Sequence, residues 1–189
     1  MGRTSRALAS ILAFALSGSA RAAEPTHLEQ GAAHFRAGRY DEALVELKVA
    51  TRLNEGKEAQ WYVAAVLQKL SRTEEALEAF GRAEAEAPKA EDALLDYYRA
   101  LACYDAQLLH CADRLLEKVE REAGPKVSGQ AKQLRARMKP VLAQPPPRDA
   151  IDVLTARATS ARGASRDFAA AAFEREAKEL TQAIEGKAR

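Results

Sequence analysis

One stretch of this chain repeats itself. AGRYDEALVELKVATRLNE (37–55) aligns with LSRTEEALEAFGRAEAEAP (70–88), so that Ala43, Leu44, Leu47 and Ala50 recur 33 residues later as Ala76, Leu77, Phe80 and Ala83. Spacings of one, three and three put these apolar residues on one face of a helix. Self-similarity at such a period marks a stack of like supersecondary units, each too small to bury its own apolar face and each covered by the next. Where two helices cross most closely, only Ala or Gly lets the backbones approach to about 8 Å, and Leu or Phe fills the gap beside them. Gly38 marks the tight turn between the two helices of the first unit, and Ser71 takes its place in the second. The Asn54-Glu55-Gly56 run in the first unit and Pro88 in the second then stop the second helices.

The composition agrees with a fold made wholly of helices. Ala, Leu, Glu, Arg and Lys dominate, while 10 Gly, 7 Pro and 6% aromatic residues leave little material for turns and sheet edges. The prediction is all-α with no sheet. The length of 189 residues suits one domain of ordinary size, or a small domain with an appendage.

In these features the chain resembles the tetratricopeptide repeat family, whose unit of about 34 residues is a pair of antiparallel helices. Gly31, Gly38, Tyr40, Ala43, Leu47 and Ala50 match its pattern in the first unit, and Ala64, Leu67, Ala76, Phe80, Ala83 and Pro88 in the second. A third, degenerate unit carries Leu109, Ala112, Leu116 and Val119, with Gln107 at the turn and Asp113 after the key Ala. The resemblance covers about residues 24–124 and implies a short right-handed superhelix of helix pairs.

A stack of this kind ends in a helix with a polar outer face. Residues 126–142 read as that cap, with an apolar stripe of Val127, Ala131, Leu134 and Met138. The repeat domain with its cap thus spans 24–143. A proline-rich linker follows at 144–148, and then a basic helical tail, 149–189. In the tail Ile151, Leu154, Ala158 and Ala161 space as one helix and Phe173, Ala177, Leu180 and Ile184 as another, with Gly163 between them, which makes a helical hairpin or a bent single helix. The tail's apolar stripe is thin, so it needs the repeat body or a partner to stabilise it.

Residues 1–22 have the three parts of a secretory signal: Arg3 and Arg6, the apolar run Ala7–Leu16, and the small-x-small site Ala20-Arg21-Ala22. The apolar run is about half the ~20 residues a bilayer span requires. The expectation is export to the periplasm or cell envelope, with cleavage after Ala22. Residues 23–125 hold 13 basic and 20 acidic side chains, and residues 126–189 hold 13 and 7, so an acidic body precedes a basic tail.

No phosphate-cradling glycine loop, metalloprotease helix or nucleophile elbow occurs. His27 and His34 lie seven residues apart on one helical face, but nothing near them is patterned as the third ligand zinc needs, so neither metal nor cofactor is expected. The carboxylate pairs, such as Glu74-Glu75, read as wet helix surface rather than acid–base machinery. Nucleic acid is not an expected partner, because the basic tail lacks interleaved aromatics and the chain carries an export signal. Cys103 and Cys111 are the only cysteines. They fall late in the first helix and early in the second helix of the third unit, where a hairpin brings them face to face. A structural disulfide is expected, with two buried free thiols as the alternative.

The resemblance implies a non-enzymatic scaffold or adaptor that binds a protein or peptide in a concave groove lined by the first helices. Groove positions carry Leu28, Phe35, Trp61, Gln68, Tyr97 and Tyr104 rather than the Lys, Arg and Asn that clamp a terminal carboxylate, which favours an apolar or aromatic-rich ligand. At 100° per residue, Trp61 lies roughly 160–180° from Val63 and Leu70 of the stripe Val63, Ala64, Leu67 and Leu70, and is read as pointing to the groove. The alternative makes it core. Two other readings stand beside the scaffold: an accessory subunit of an envelope enzyme, and a protein that docks on an anionic lipid or polymer through its basic tail.

Overall fold

The computed structural model describes residues 24–87 and 93–187; the expected signal segment and Pro88 lie outside them. The described residues form nine α-helices and no strand: α1 (His27–Arg36), α2 (Tyr40–Leu53), α3 (Glu58–Lys69), α4 (Thr73–Glu86), α5 (Ala93–Asp105), α6 (Leu109–Glu122), α7 (Pro125–Leu142), α8 (Ala150–Gly163) and α9 (Asp167–Lys187). The all-α expectation holds among them.

Four hairpins share one turn. Gly38, Ser71, Gln107 and Ser165 all sit in the left-handed region, at φ of 75°, 58°, 64° and 57°. The N–H of the next residue reaches back to a carbonyl five residues earlier in each case: Arg39 to His34, Arg72 to Leu67, Leu108 to Cys103 and Arg166 to Ala161, at 2.8–3.0 Å. These bonds satisfy the carbonyls that a helix C-terminus leaves unpaired. The chain then turns into a new helix whose first main-chain bond is made by an alanine, Ala43, Ala76, Ala112 or Ala170.

Twelve residues before each of these alanines stands another small residue: Gly31, Ala64, Ala100 and Ala158. All eight are buried. The reason is steric, since the helices of a hairpin cross where these residues meet and a larger side chain would hold the backbones apart. Larger side chains fill the space beside them, including Leu47, Phe80 and Leu116, each at most 1% exposed.

The fourth hairpin, α8–α9, corrects the reading of the tail. Its bend is at Ser165 rather than Gly163, which is the last residue of α8. The tail returns to the body, packing α9 on α4 and α6. A Cβ on Gly81 of α4 would overlap the Cβ and Cγ of Phe168 on α9, so the two backbones approach closely there. Arg166 pairs with Glu74 at 2.8 Å and Arg114 with Glu179. Arg157 donates to the Ala106 carbonyl at 2.6 Å and covers the Phe173 ring at 4.2 Å.

Two buried carboxylates hold the two bodies together in a reciprocal way. Glu78 of α4 accepts the N–H groups of Phe168 and Ala169 in the first turn of α9, at 2.8 and 3.2 Å. Glu176 of α9 accepts those of His110 and Cys111 in the first turn of α6, at 2.8 and 3.1 Å. Each carboxylate satisfies orphan donors and faces the positive end of a helix dipole.

Candidate functional site

The first helices of the hairpins pack side by side, α1 against α3 and α3 against α5. Rings from all three converge. Phe35 near the end of α1 is buried, and its ring centroid lies 5.8 Å from Tyr62 on α3 and 5.2 Å from Tyr98 on α5, both edge-on. Tyr40 at the start of α2 stands at 5.9 Å, and Tyr97 adds a contact to Tyr98 at 6.1 Å. Lys69 caps the cluster, its ammonium 5.2 Å from the Tyr98 ring. Edge-to-face pairs are worth about 0.5–1.5 kcal/mol each beyond area burial, so this cluster ties three hairpins together while its tyrosines remain half-exposed.

Of the residues expected to line a groove, the structure gathers Phe35 and Tyr97 into this cluster. Phe35 is its buried hub rather than a ligand-facing group. Tyr104 is half-buried on α5. Gln68 is also half-buried and donates to Asp105 at 2.9 Å, joining α3 to α5. Leu28 sits against the connection between α2 and α3, its side chain near Gly56 and its N–H donating to Glu55 at 3.0 Å.

Trp61 does not face a groove. It is 1% exposed and packs edge-on against Phe80 of α4, with centroids 5.9 Å apart. At about 100° per residue, the buried Ala64 and Ala65 lie only about 60° and 40° from Trp61, and α3 has more than one packing stripe. α3 buries Ala59, Trp61, Ala64, Ala65, Val66 and Leu67, which lie around most of its circumference. A helix surrounded by neighbours has no dry and wet halves to tell apart. The signal that was missed is the adjacent aromatic pair, Trp61-Tyr62 and Tyr97-Tyr98, recurring 36 residues apart. In both pairs the second ring joins the cluster.

A cleft of about 530 Å³ opens on another side, between α2, α3, α4 and the α8–α9 turn. Val63, Leu67 and Ala79 supply its apolar wall, and Lys48, Arg52 and Arg82 its cationic rim. Its acidic members are engaged: Glu75 with Arg72, Glu78 with Arg82 and α9, and Glu86 with Gln60. The Arg72 guanidinium holds the Glu75 carboxyl below its ordinary pKa.

Cys103 and Cys111 are joined across the α5–α6 turn with Cα atoms 6.1 Å apart, within the range a bridge requires.

Each histidine is held by a different side chain. His27 meets Glu46 at 2.7 Å and His34 accepts from Arg39 at 2.9 Å. Among the described residues, one group has ligand atoms close enough for a cation, namely His110, Glu176 and Glu179. Glu176 already accepts from His110 Nδ1 and two main-chain N–H groups, and Glu179 pairs with Arg114. These residues hold the tail in place. The hydrogen bond from Glu176 raises the pKa of His110, and the one from Glu46 raises that of His27. Burial raises that of Tyr97.

The remaining buried acid, Asp96, meets Lys118 at 2.8 Å. Every buried carboxylate among the described residues is thus held in a structural contact. Fold and site together define an all-α protein of stacked helical hairpins with an aromatic face across its first helices. Comparison with family models, with curated proteins and with solved structures finds no match.

Proposed function

We propose that this chain is a non-enzymatic scaffold or adaptor of the tetratricopeptide type, exported to the periplasm or cell envelope, that binds a protein or peptide on the inner face of its first helices. The observation that carries the reading is the tyrosine cluster built on Phe35. It presents Tyr62, Tyr97 and Tyr98, each half-exposed, from two adjacent helices, with Lys69 beside them. Rigid aromatic side chains supply contact area at low entropic cost and dominate binding energy at protein interfaces. The small residues at the repeat positions support the family reading, since they recur twelve apart in each hairpin.

The ligand this face suits is a peptide segment with apolar or aromatic side chains and an acidic group for Lys69. Affinity capture from the source envelope by the mature chain tests the reading. The double variant Tyr62→Ala/Tyr98→Ala should lose the captured partner while keeping its helical circular dichroism. Capture of the same partner by a folded double variant would overturn the assignment, as would the absence of any partner.

A further inference from the structure

The tail was one segment expected to meet an anionic surface, yet three of its arginines are engaged: Arg157 with Ala106 of the body and Phe173, Arg162 with Glu174 within the tail, and Arg166 with Glu74 of the body. Exposed cations without an ion pair to a described residue also occur at Lys48, Arg52, Arg175 and Lys178, but α7 gathers four of them on one helix with no acidic residue. This helix of 18 residues carries Lys126, Lys132, Arg135, Arg137 and Lys139 and no acidic residue. From Ala123 to Arg148 the chain has no Asp or Glu at all. Arg135 turns inward to Asp113 at 2.8 Å and Glu120 at 3.5 Å. The other four are exposed and make no ion pair with any described residue.

The four cations fall in two rows. At about 100° per residue, Lys126 and Arg137 lie within about 20° of each other on one flank of the helix, and Lys132 and Lys139 within about 20° on the other. Between the rows runs an outward strip of Gly129, Gln133, Ala136 and Pro140, uncharged and mostly small. On the opposite side Ala131 and Met138 are buried against the body, where α7 packs on α6 and α5.

We propose that this outward face of α7 docks on an anionic lipid bilayer, independently of the aromatic face. Cations about 10–16 Å apart along the helix are too far apart to share one phosphate. Two rows flanking a flat strip suit a plane of mobile headgroups, each free to move to the nearest ammonium. A folded acidic partner would need carboxylates fixed at matching points, and a duplex would need the cations to follow a curved backbone. Three of the four are Lys, the compact hydrated charge that acts without bidentate geometry. The strip lacks large apolar side chains, and no described helix is long and apolar enough to cross a membrane, so the contact is peripheral and electrostatic.

The test is co-sedimentation of the full mature chain with phosphatidylcholine vesicles, with and without phosphatidylglycerol. Binding should require the anionic lipid and be lost at about 0.5 M salt, where screening falls below ~5 Å. Each cation near such a surface contributes about a fivefold gain in affinity. Lys132→Glu/Lys139→Glu should therefore weaken binding by at least about twenty-fivefold, and Lys132→Gln/Lys139→Gln by about that factor. Arg175→Glu/Lys178→Glu, an equal charge change on exposed tail residues, should leave it within about twofold. The melting curves should coincide, because none of these side chains has a described partner. Equal loss in the α7 and tail variants would reduce the effect to net charge and overturn the proposal. So would wild-type protein that ignores the anionic vesicles, or displacement from them by short duplex DNA.

Discussion

Glu176, on α9, bonds twice to His110: one carboxylate oxygen accepts the main-chain N–H at 2.8 Å and faces Nδ1 at 2.9 Å. The contact spans 66 residues of sequence and fastens the last helix to the third hairpin. Because the carboxylate raises the pKa of His110, the folded value lies above the ordinary 6.5. The stabilisation from this pair is then fully present below pH 6.5 and is lost as pH rises through the folded pKa. Glu179 acts in the same direction and Arg114 against it. His27, beside Glu46 and Glu55, has the same sign but is exposed and more strongly screened. Thermal melts should show stability falling across the range just above pH 6.5. His110→Gln should flatten much of that slope, and an unchanged slope would show that the pair does not control docking.

Gly81 admits Phe168 at a distance no side chain would permit. Gly81→Val should force the tail off α4 at a cost of about 1–3 kcal/mol, in the range of overpacked contacts. Limited proteolysis would then cut the variant near residues 144–148 and leave α1–α7 intact. Wild-type resistance at that segment in the variant would contradict the docking geometry.

The four left-handed turns are occupied by one Gly and three residues with side chains. Left-handed backbone costs a residue with a Cβ roughly 1–2 kcal/mol. Gln107→Gly should therefore stabilise the chain by up to about 1 kcal/mol, after the entropy glycine loses on folding. Gly38→Ala should destabilise it by about 1 kcal/mol. Urea unfolding of the two variants measures both signs at once.

Cys103 and Cys111 close a loop with a sequence separation of 8. In the chain-entropy model so short a loop stabilises by roughly 2–3 kcal/mol. Protein isolated from an oxidising compartment should resist alkylation under denaturing, non-reducing conditions and become reactive after reduction. Modification of both thiols without reductant would exclude the bridge.

Helix content, the turns at Gly38, Ser71 and Gln107, and the facing cysteines were legible from residue order. Each rests on a local requirement: a small residue where two helices cross, a left-handed residue about two helical turns later, a stripe at helical spacing. Ala158 and Ala170 stand at the same spacing of twelve, so the fourth hairpin was legible too. Its bend is read at Gly163 because glycine is the more conspicuous breaker, and its likeness to the other hairpins is hidden because Phe173 falls one position off the register of Leu47 and Phe80. Other features were decided only in three dimensions. Trp61 went to the core because α3 is enclosed on most sides, and Glu78 and Glu176 became helix caps because the tail's return set them against backbone N–H groups 65–91 residues away. A carboxylate on a helix reads the same in sequence whether it meets water or the open end of another helix. Periodicity reports which face of a segment is buried, but which distant segment buries it depends on how the chain closes on itself.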